Sequence, residues 1–534
     1  MRISLAFVLT GLVACGGSTP APEAPTGGTG SGAKPSSPGD VSFDVQPIEV
    51  KGVMFEPEAL GSPGMPLVEA KKKTTLEKQR QVYEKTKDPV QKEAQAAVLA
   101  TMLYQASKTA KGDEQKKLQA DARQVLRDAA ANSGDKVDEI TLRLLGSYEL
   151  MLEDYPAAEK AWGGLVTKAP KDKDVLTNKA WWAYSLLKQY KNAEALAVVK
   201  DEALSEKTPE LAYVAAWAKW RTGDDAGAWN AIVTAAKGWA GMPGRDALDR
   251  DLLLFAGRTN TSLPDAVTAL TPFYGKNVDQ QYDMLAKLGL QSYQYAGRWA
   301  DGVAALEKAV QTVGAKVPVN DLPVIRYEQA EYTVRLDDPQ TAAKFATQAI
   351  EALPACGAKC SAKDMETIVM SVYSMARLFH NLYATAHDDR YYQPAHDLYQ
   401  LTLPKITNDN SRKEAQQAAD FLERSFKSMR AGVGTHEKQT IGALLNRHNQ
   451  EAQACYEHAL SSNPKLAGSV VVNLESDQTG AIKGVSTEPK AGLADLSAVA
   501  GCIAEQAKAW KLPKRAQAGS TRIKLTYAVS PAKS

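Results

Sequence analysis

The side chains able to do chemistry form a few small groups. Six histidines are spread over 534 residues. His387-Asp388-Asp389 and the following His396-Asp397 are the only suggestive cluster, with imidazoles and carboxylates that could hold a metal ion or pass a proton. His448, Cys455 and His458 fall near one face of a helix and form a second ligand set to weigh. No HExxH pair, glycine-rich phosphate loop or G-x-S-x-G elbow stands beside either set. Solvated helix ends account for the first set. The chain is therefore read as non-enzymatic, with no catalytic residue, no metal and no cofactor.

The five cysteines carry the other chemistry. Cys356 and Cys360 flank a glycine in LPACGAKCSAKD, a composition that suits an inter-helix turn closed by a local disulfide. A zinc site would need two more ligands, and none lies close in sequence. A redox pair has two intervening residues, whereas this pair has three.

Cys15 stands apart, in MRISLAFVLTGLVACGGSTPAPEAP. Arg2 precedes an apolar run, Ile3 to Val13, about half the roughly 20 residues a membrane helix needs. Leu12-Val13-Ala14-Cys15 looks like a bacterial lipobox. That reading makes 1–14 a lipoprotein signal peptide and Cys15 the lipidation site, giving a membrane attachment that more than one acyl chain makes stable. No Asp follows Cys15, so the expected location is the outer membrane, facing the periplasm. Residues 15–41 are the lipidated cysteine and a Gly/Pro/Ser/Thr-rich tether, with an r.m.s. reach of roughly 30 Å. Residues 42–73 read as an extended irregular segment. A net charge of +2 leaves no nucleic-acid footprint. The remaining even set of cysteines in an exported chain favours disulfides.

Residues 74–404 are rich in Ala, Leu, Lys, Glu and Gln, and they repeat. DYPAAEKAWGGLVTKAP, QYKNAEALAVVKDEAL and GDDAGAWNAIVTAAKG place Ala158, Ala193 and Ala228 at a 35-residue period. The register continues less evenly through Ala122, Ala266, Gly302, Ala342 and Ala395. A small residue there lets two antiparallel helices approach closely. Leu142, Leu145, Gly146, Tyr155, Ala158, Trp162, Leu165 and Pro170 together resemble the tetratricopeptide (TPR) repeat. The resemblance implies a superhelix whose groove is lined by the first helix of each hairpin. Its groove-facing positions here would be Arg143, Asn178, Trp182, Tyr213, Trp217, Trp220, Arg221, Phe255 and Arg258. Rigid aromatic and Arg side chains of this kind favour protein binding, although helical spacing places some of the tryptophans in the core as well. The Lys/Asn set of carboxylate-clamp members is missing, so capture of a free C-terminus is not implied.

Residues 405–434 read as a linker helix, with a capping box from Ser411 to Glu414, ending in a hinge at AGVGT. In 435–534 a long helical run over 437–461 precedes a hairpin, 466–489, turning at Asp477-Gln478-Thr479-Gly480. A helix at about 493–510 and an alternating strand over 521–530 complete the unit. Cys455, Tyr456, Leu460, Pro464, Leu466, Gly468, Val470, Gly480, Ile482, Val485, Cys502, Ile503, Trp510 and Pro513 resemble the AgmX/PglI C-terminal domain, a TonB-C-like module named from myxobacterial gliding-motility proteins. Lys511-Leu512 stands where that family often has an aromatic. The resemblance pairs Cys455 with Cys502, a loop closure worth roughly 4 kcal/mol in the chain-entropy model. It also implies an edge strand, 521–530, open to a partner's extended segment.

The expected fold is mostly α: a TPR-like α-helical solenoid followed by a small α+β TonB-C-like domain. The expected function is a lipid-anchored periplasmic scaffold for envelope proteins of a trans-envelope complex, with gliding motility as the setting. The alternatives are a periplasmic metallo-enzyme using His387, Asp389 and His396, and a peptidoglycan-binding envelope protein.

Overall fold

The computed structural model describes residues 40–61, 63–69, 74–240, 246–275, 277–386, 388–429, 438–490, 495–512, 514 and 519–532. The signal-peptide stretch, Cys15, the tether up to residue 39, His387, Pro513 and the 431–435 hinge lie outside them. No helix among the described residues is long and apolar enough to cross a membrane. The chain divides into two compact units. One is Phe55–Phe255; the other joins the residues up to Met54 with Ala256–Ser534.

In the Phe55–Phe255 unit, helices pair as antiparallel hairpins: Pro89–Ser107 with Gly112–Ser133, Glu139–Met151 with Tyr155–Lys168, Val175–Leu187 with Asn192–Val199, and Pro209–Arg221 with Asp225–Gly238. The turns of the last three share one device. Glu153, Tyr190 and Gly223 adopt left-handed backbone, with φ of 59°, 60° and 90°. The next amide then reaches back over the helix end: Asp154 to the Glu149 carbonyl, Lys191 to Leu186, and Asp224 to Lys219, at 2.8–3.0 Å. Asp154 and Asp224 also cap the second helix, accepting from the amides of Ala157 and Gly227.

Five residues beyond each left-handed residue comes a fully buried alanine: Ala158, Ala195 and Ala228. The expected Ala193 is exposed. The left-handed turn at Tyr190, rather than an even 35-residue count, sets the phase of that helix. The same offset recurs in the other unit, from Gly297 to Gly302 and from Asp337 to Ala342. Close approach is real at these crossings. A Cβ on Gly302 would lie 3.0 Å from the Tyr332 ring, and one on Gly146 would lie 2.7 Å from Trp162.

The other unit continues the hairpins. Val278–Lys287 runs through a π-turn, Leu288–Tyr293, and returns as Trp299–Val313. Leu322–Arg335 pairs with Pro339–Cys356, and Ala362–Ala386 with Tyr392–Thr402. Cys356 and Cys360 form a disulfide at the turn between these pairs. Helix Asp409–Met429 is capped by Asn408, whose side chain accepts from the Ser411 amide at 3.0 Å, so the expected Ser411 cap lies inside the helix. The run expected as one helix is two, Lys438–Asn446 and Asn449–Leu460. It breaks where the Arg447 and His448 amides bond three residues back instead of four.

The sheet holds β1 (Val41–Asp44), β2 (Ile48–Gly52), β3 (Gly468–Ser476), β4 (Ile482–Lys490) and β5 (Thr521–Pro531). Its order is β1-β5-β3-β4, with β2 also pairing β5. β3 is antiparallel to β4 and to β5. β1 and β2 follow one another along the other side of β5, both parallel to it, with Val41 opposite Thr521 and Val50 opposite Val529. This corrects two expectations. The start of the 42–73 segment is strand rather than irregular chain, and β5 is not an open edge. The Cys455–Cys502 disulfide joins helix Asn449–Leu460 to helix Ser497–Ala507 beside this sheet.

The repeat register yields a direct test. Ala195→Leu overpacks a closed crossing and is expected to lower urea-unfolding stability by about 1–3 kcal/mol. Ala193→Leu, on the exposed face, is expected to stay within about 0.5 kcal/mol of the parent chain. The reverse order would contradict the register.

Candidate functional site

The first helices of the Phe55–Phe255 hairpins present the cationic and aromatic residues singled out above, and the chain's own residues 55–60 lie against them. The Arg221 side chain is wholly buried. Its guanidinium donates to the Leu187 carbonyl and to the Phe55 carbonyl, both at 2.9 Å, and stands 3.5 Å from the Glu56 carboxylate. Lys188 meets the same carboxylate at 3.3 Å, and the Tyr190 hydroxyl donates to it. Arg250 donates to Glu58 at 2.6 Å and to the Glu56 carbonyl at 3.3 Å. The Tyr213 hydroxyl accepts from the Ala59 amide at 3.0 Å and donates to Asp251 at 2.6 Å. Pro57, Ala59 and Leu60 are buried, and the Glu58 carbonyl accepts from the Gly61 amide to close a turn. Farther along, the Val68 amide donates to Thr101 at 3.3 Å, and Met65 and Val68 pack on the Leu99–Tyr148 cluster.

Burial shapes the titration of these groups. It pulls the Arg221 guanidinium down, an effect that the Glu56 carboxylate opposes. It pushes the Tyr213 phenol well up, with Asp251 adding to the rise. It pushes the Asp251 carboxyl up to about 6, against the stabilising Tyr213 hydroxyl and Arg250.

The other expected groove residues divide by environment. Arg143 pairs with Asp172 and donates to Asn178 at 2.8 Å, so Arg143 and Asn178 tie the first helices of adjacent repeats together. Trp182 is half-buried against the backbone of Gly163. Trp217, Trp220 and Phe255 form a closed aromatic triad with ring centroids 5.4–5.7 Å apart. All three are essentially inaccessible, so here they build the core beneath the site rather than its surface. Sequence reading did not find Lys188, Tyr190, Arg250 or Asp251. Lys188 and Tyr190 sit at the end of helix Val175–Leu187, and Arg250 and Asp251 lie within helix Asp246–Arg258, with no shared sequence signal to mark them.

In the other unit Arg258 is buried and paired with Glu457 of helix Asn449–Leu460. On the same helix, Glu451 accepts from the Trp299 indole at 2.8 Å and contacts His448 at 3.0 Å. Arg447, on the turn before it, meets Glu331 at 2.8 Å beside Arg335. Burial and the neighbouring Glu331 push the Glu328 carboxyl up to about 8. Helix Asn449–Leu460 and the turn before it are thus held by buried ion pairs against repeat helices of their own unit.

The ligand sets considered for a metal are placed as follows. Cys455 is committed to its disulfide, and His448 stacks on Trp510 at 4.7 Å, which dissolves the His448–Cys455–His458 set. His396 contacts Asp397 and Glu423 at 3.2 and 3.4 Å. Asp388 binds Arg390 and caps its turn. Among the described residues no group of three or more His, Cys, Asp or Glu is arranged to hold a metal ion. The outer face of the sheet carries a shallow polar depression lined by Ser42, Asp44, Asn473, Glu475, Arg522 and Lys524, in which Arg522 and Glu475 pair at 3.2 Å.

No protein-family model matches the chain, and no curated protein does. Among solved structures the chain is similar to the C-terminal part of a TPR repeat-containing protein from Cytophaga hutchinsonii. That likeness has 15% identity over 60% of this chain and 98% of the other, at a TM-score of 0.25.

The Asp251 carboxyl offers a pH test. Its folded pKa lies above its unfolded value, so its contribution is fully present below about pH 4 and is lost as pH rises through about 6. Unfolding measured across that window should show the parent chain losing up to roughly 3 kcal/mol relative to Asp251→Asn. A pH-independent difference would contradict the burial of a protonatable group there.

Proposed function

We propose that the chain is a non-catalytic protein-interaction scaffold, held at the outer membrane by lipid on Cys15 and working in the periplasm within a cell-envelope assembly. The observation that carries the scaffold reading is the helical-repeat face on which Arg221, Lys188, Arg250 and Tyr213 hold a peptide segment through its backbone and its carboxylates. Repeat folds of stacked hairpins build long surfaces of this kind. The disulfides Cys356–Cys360 and Cys455–Cys502 support an oxidising compartment. The lipobox-like Leu12-Val13-Ala14-Cys15 supports the anchor.

The resemblance of residues 435–534 to the AgmX/PglI C-terminal domain supports a trans-envelope complex, with gliding motility as the process it points to. Binding through an open β5 edge is not part of this reading, because β1 and β2 fill that edge.

Two measurements test the proposal in cells. Cys15→Ser is expected to move the protein from the detergent-extracted membrane fraction to the soluble periplasmic fraction; unchanged fractionation would remove the lipid anchor. Crosslinking in intact envelopes followed by mass spectrometry is expected to recover a reproducible set of envelope proteins. Recovery of the chain alone would remove the scaffold.

A further inference from the structure

We infer that residues 55–60, Phe-Glu-Pro-Glu-Ala-Leu, occupy a peptide-recognition site in cis, and that the site's external ligand is a non-helical acidic peptide with two carboxylates two residues apart, followed by small and aliphatic side chains. The inference rests on the scaffold reading above and specifies which surface binds and what it takes.

Three observations carry it. The site reads the backbone: Arg221 takes the Phe55 carbonyl, Arg250 takes the Glu56 carbonyl, and the Tyr213 hydroxyl accepts from the Ala59 amide. Such contacts fit any chain in this conformation. Side-chain selection is then electrostatic. Lys188, Arg221 and the Tyr190 hydroxyl surround Glu56, and Arg250 meets Glu58. The pocket also asks for an occupant. The Arg221 side chain is fully buried, and without the segment it would lose the Phe55 carbonyl and the Glu56 carboxylate. Removing one partner of a buried charge is strongly unfavourable, so a departing segment is best replaced by another acidic peptide. The chemistry recognised is internal carboxylates and peptide groups, not a chain terminus.

Occupancy in cis is favoured by connectivity. Residues 55–60 belong to the same compact unit as the helices that hold them, so their effective concentration at the site is on the order of millimolar or more. An external peptide therefore competes poorly until the internal one is weakened.

The test uses the full chain and a fluorescein-labelled peptide VMFEPEALGS, read by anisotropy. Glu56→Gln/Glu58→Gln weakens the internal ligand and leaves the site's cations intact. The labelled peptide is expected to bind this variant at least about ten-fold more tightly than it binds the parent chain. It should also bind about ten-fold better than the same peptide with both glutamates changed to glutamine. Adding Lys188→Gln and Arg250→Gln, both partly exposed, should abolish the difference between the two peptides. Circular dichroism and thermal unfolding establish that each variant is folded. A folded double variant that binds neither peptide, or binds both equally, overturns the inference. Envelope partners recovered by crosslinking in that case would leave the scaffold reading standing on another surface.

Discussion

The fold of the Ala256–Ser534 unit depends on one pairing made across almost the whole chain. β5 has two sides that need hydrogen-bond partners. β3 fills one, and β1 and β2, more than 400 residues away in sequence, fill the other. An uncovered edge would template pairing with other chains, and here the protein covers it with its own N-terminal strands. The fit is tight: a Cβ on Gly52 would lie 2.6 Å from the Tyr456 ring and 2.7 Å from Leu460. Tyr456 and Leu460 belong to the helix that the Cys455–Cys502 disulfide fastens beside the sheet. Strand, helix and disulfide are thus mutually dependent. In the Phe55–Phe255 unit, residues 55–60 meet the cationic face of that unit's own helices.

Buried charge organises both units. Arg221 and Arg258 each have a guanidinium removed from solvent, and each is answered by a glutamate of a non-repeat segment, Glu56 or Glu457. Such pairs contribute little net stability, because desolvation offsets the attraction, but leaving either half unpaired is costly. Their effect is specificity of docking. An apolar helix face would accept many sequences, whereas these arginines accept a carboxylate at one position. The repeat fold supplies rigid helices, and the ion pairs decide what lies on them.

The repeats were legible because they rest on local chemistry: a short turn and then a small residue at each crossing, recurring with the hairpins. Their phase was misread at Ala193 because a sequence count cannot see that Tyr190 takes the left-handed conformation. β3, β4 and the β5 alternation were equally clear. β1 and β2 were missed although Ile48, Val50 and Gly52 alternate with polar residues as a half-buried strand does. Each strand is short, and the stretch reads as the start of an extended irregular segment that follows the Gly/Pro/Ser-rich tether. Arg143, Asn178, Tyr213, Arg221 and Arg258 are expected as groove-facing positions; the partners that Arg221 and Arg258 meet, Glu56 and Glu457, lie far away in sequence, beyond what periodicity reports. Trp217, Trp220 and Phe255 illustrate the opposite limit. Helical spacing does not separate an aromatic that lines a surface from one that packs beneath it, and burial decides for the core.

The central claim is that residues 41–60 are bound by the rest of the chain, first as strands and then as a peptide against the repeats. Hydrogen exchange of the native full-length protein, read by mass spectrometry on peptides covering this stretch, tests it most directly. The account predicts that those amides of 48–52 that bond β5 exchange on the timescale of β3, and that the amide of Ala59 is slowed by at least about ten-fold relative to a free peptide of the same sequence. Exchange of the whole 41–60 stretch at free-peptide rates would contradict it.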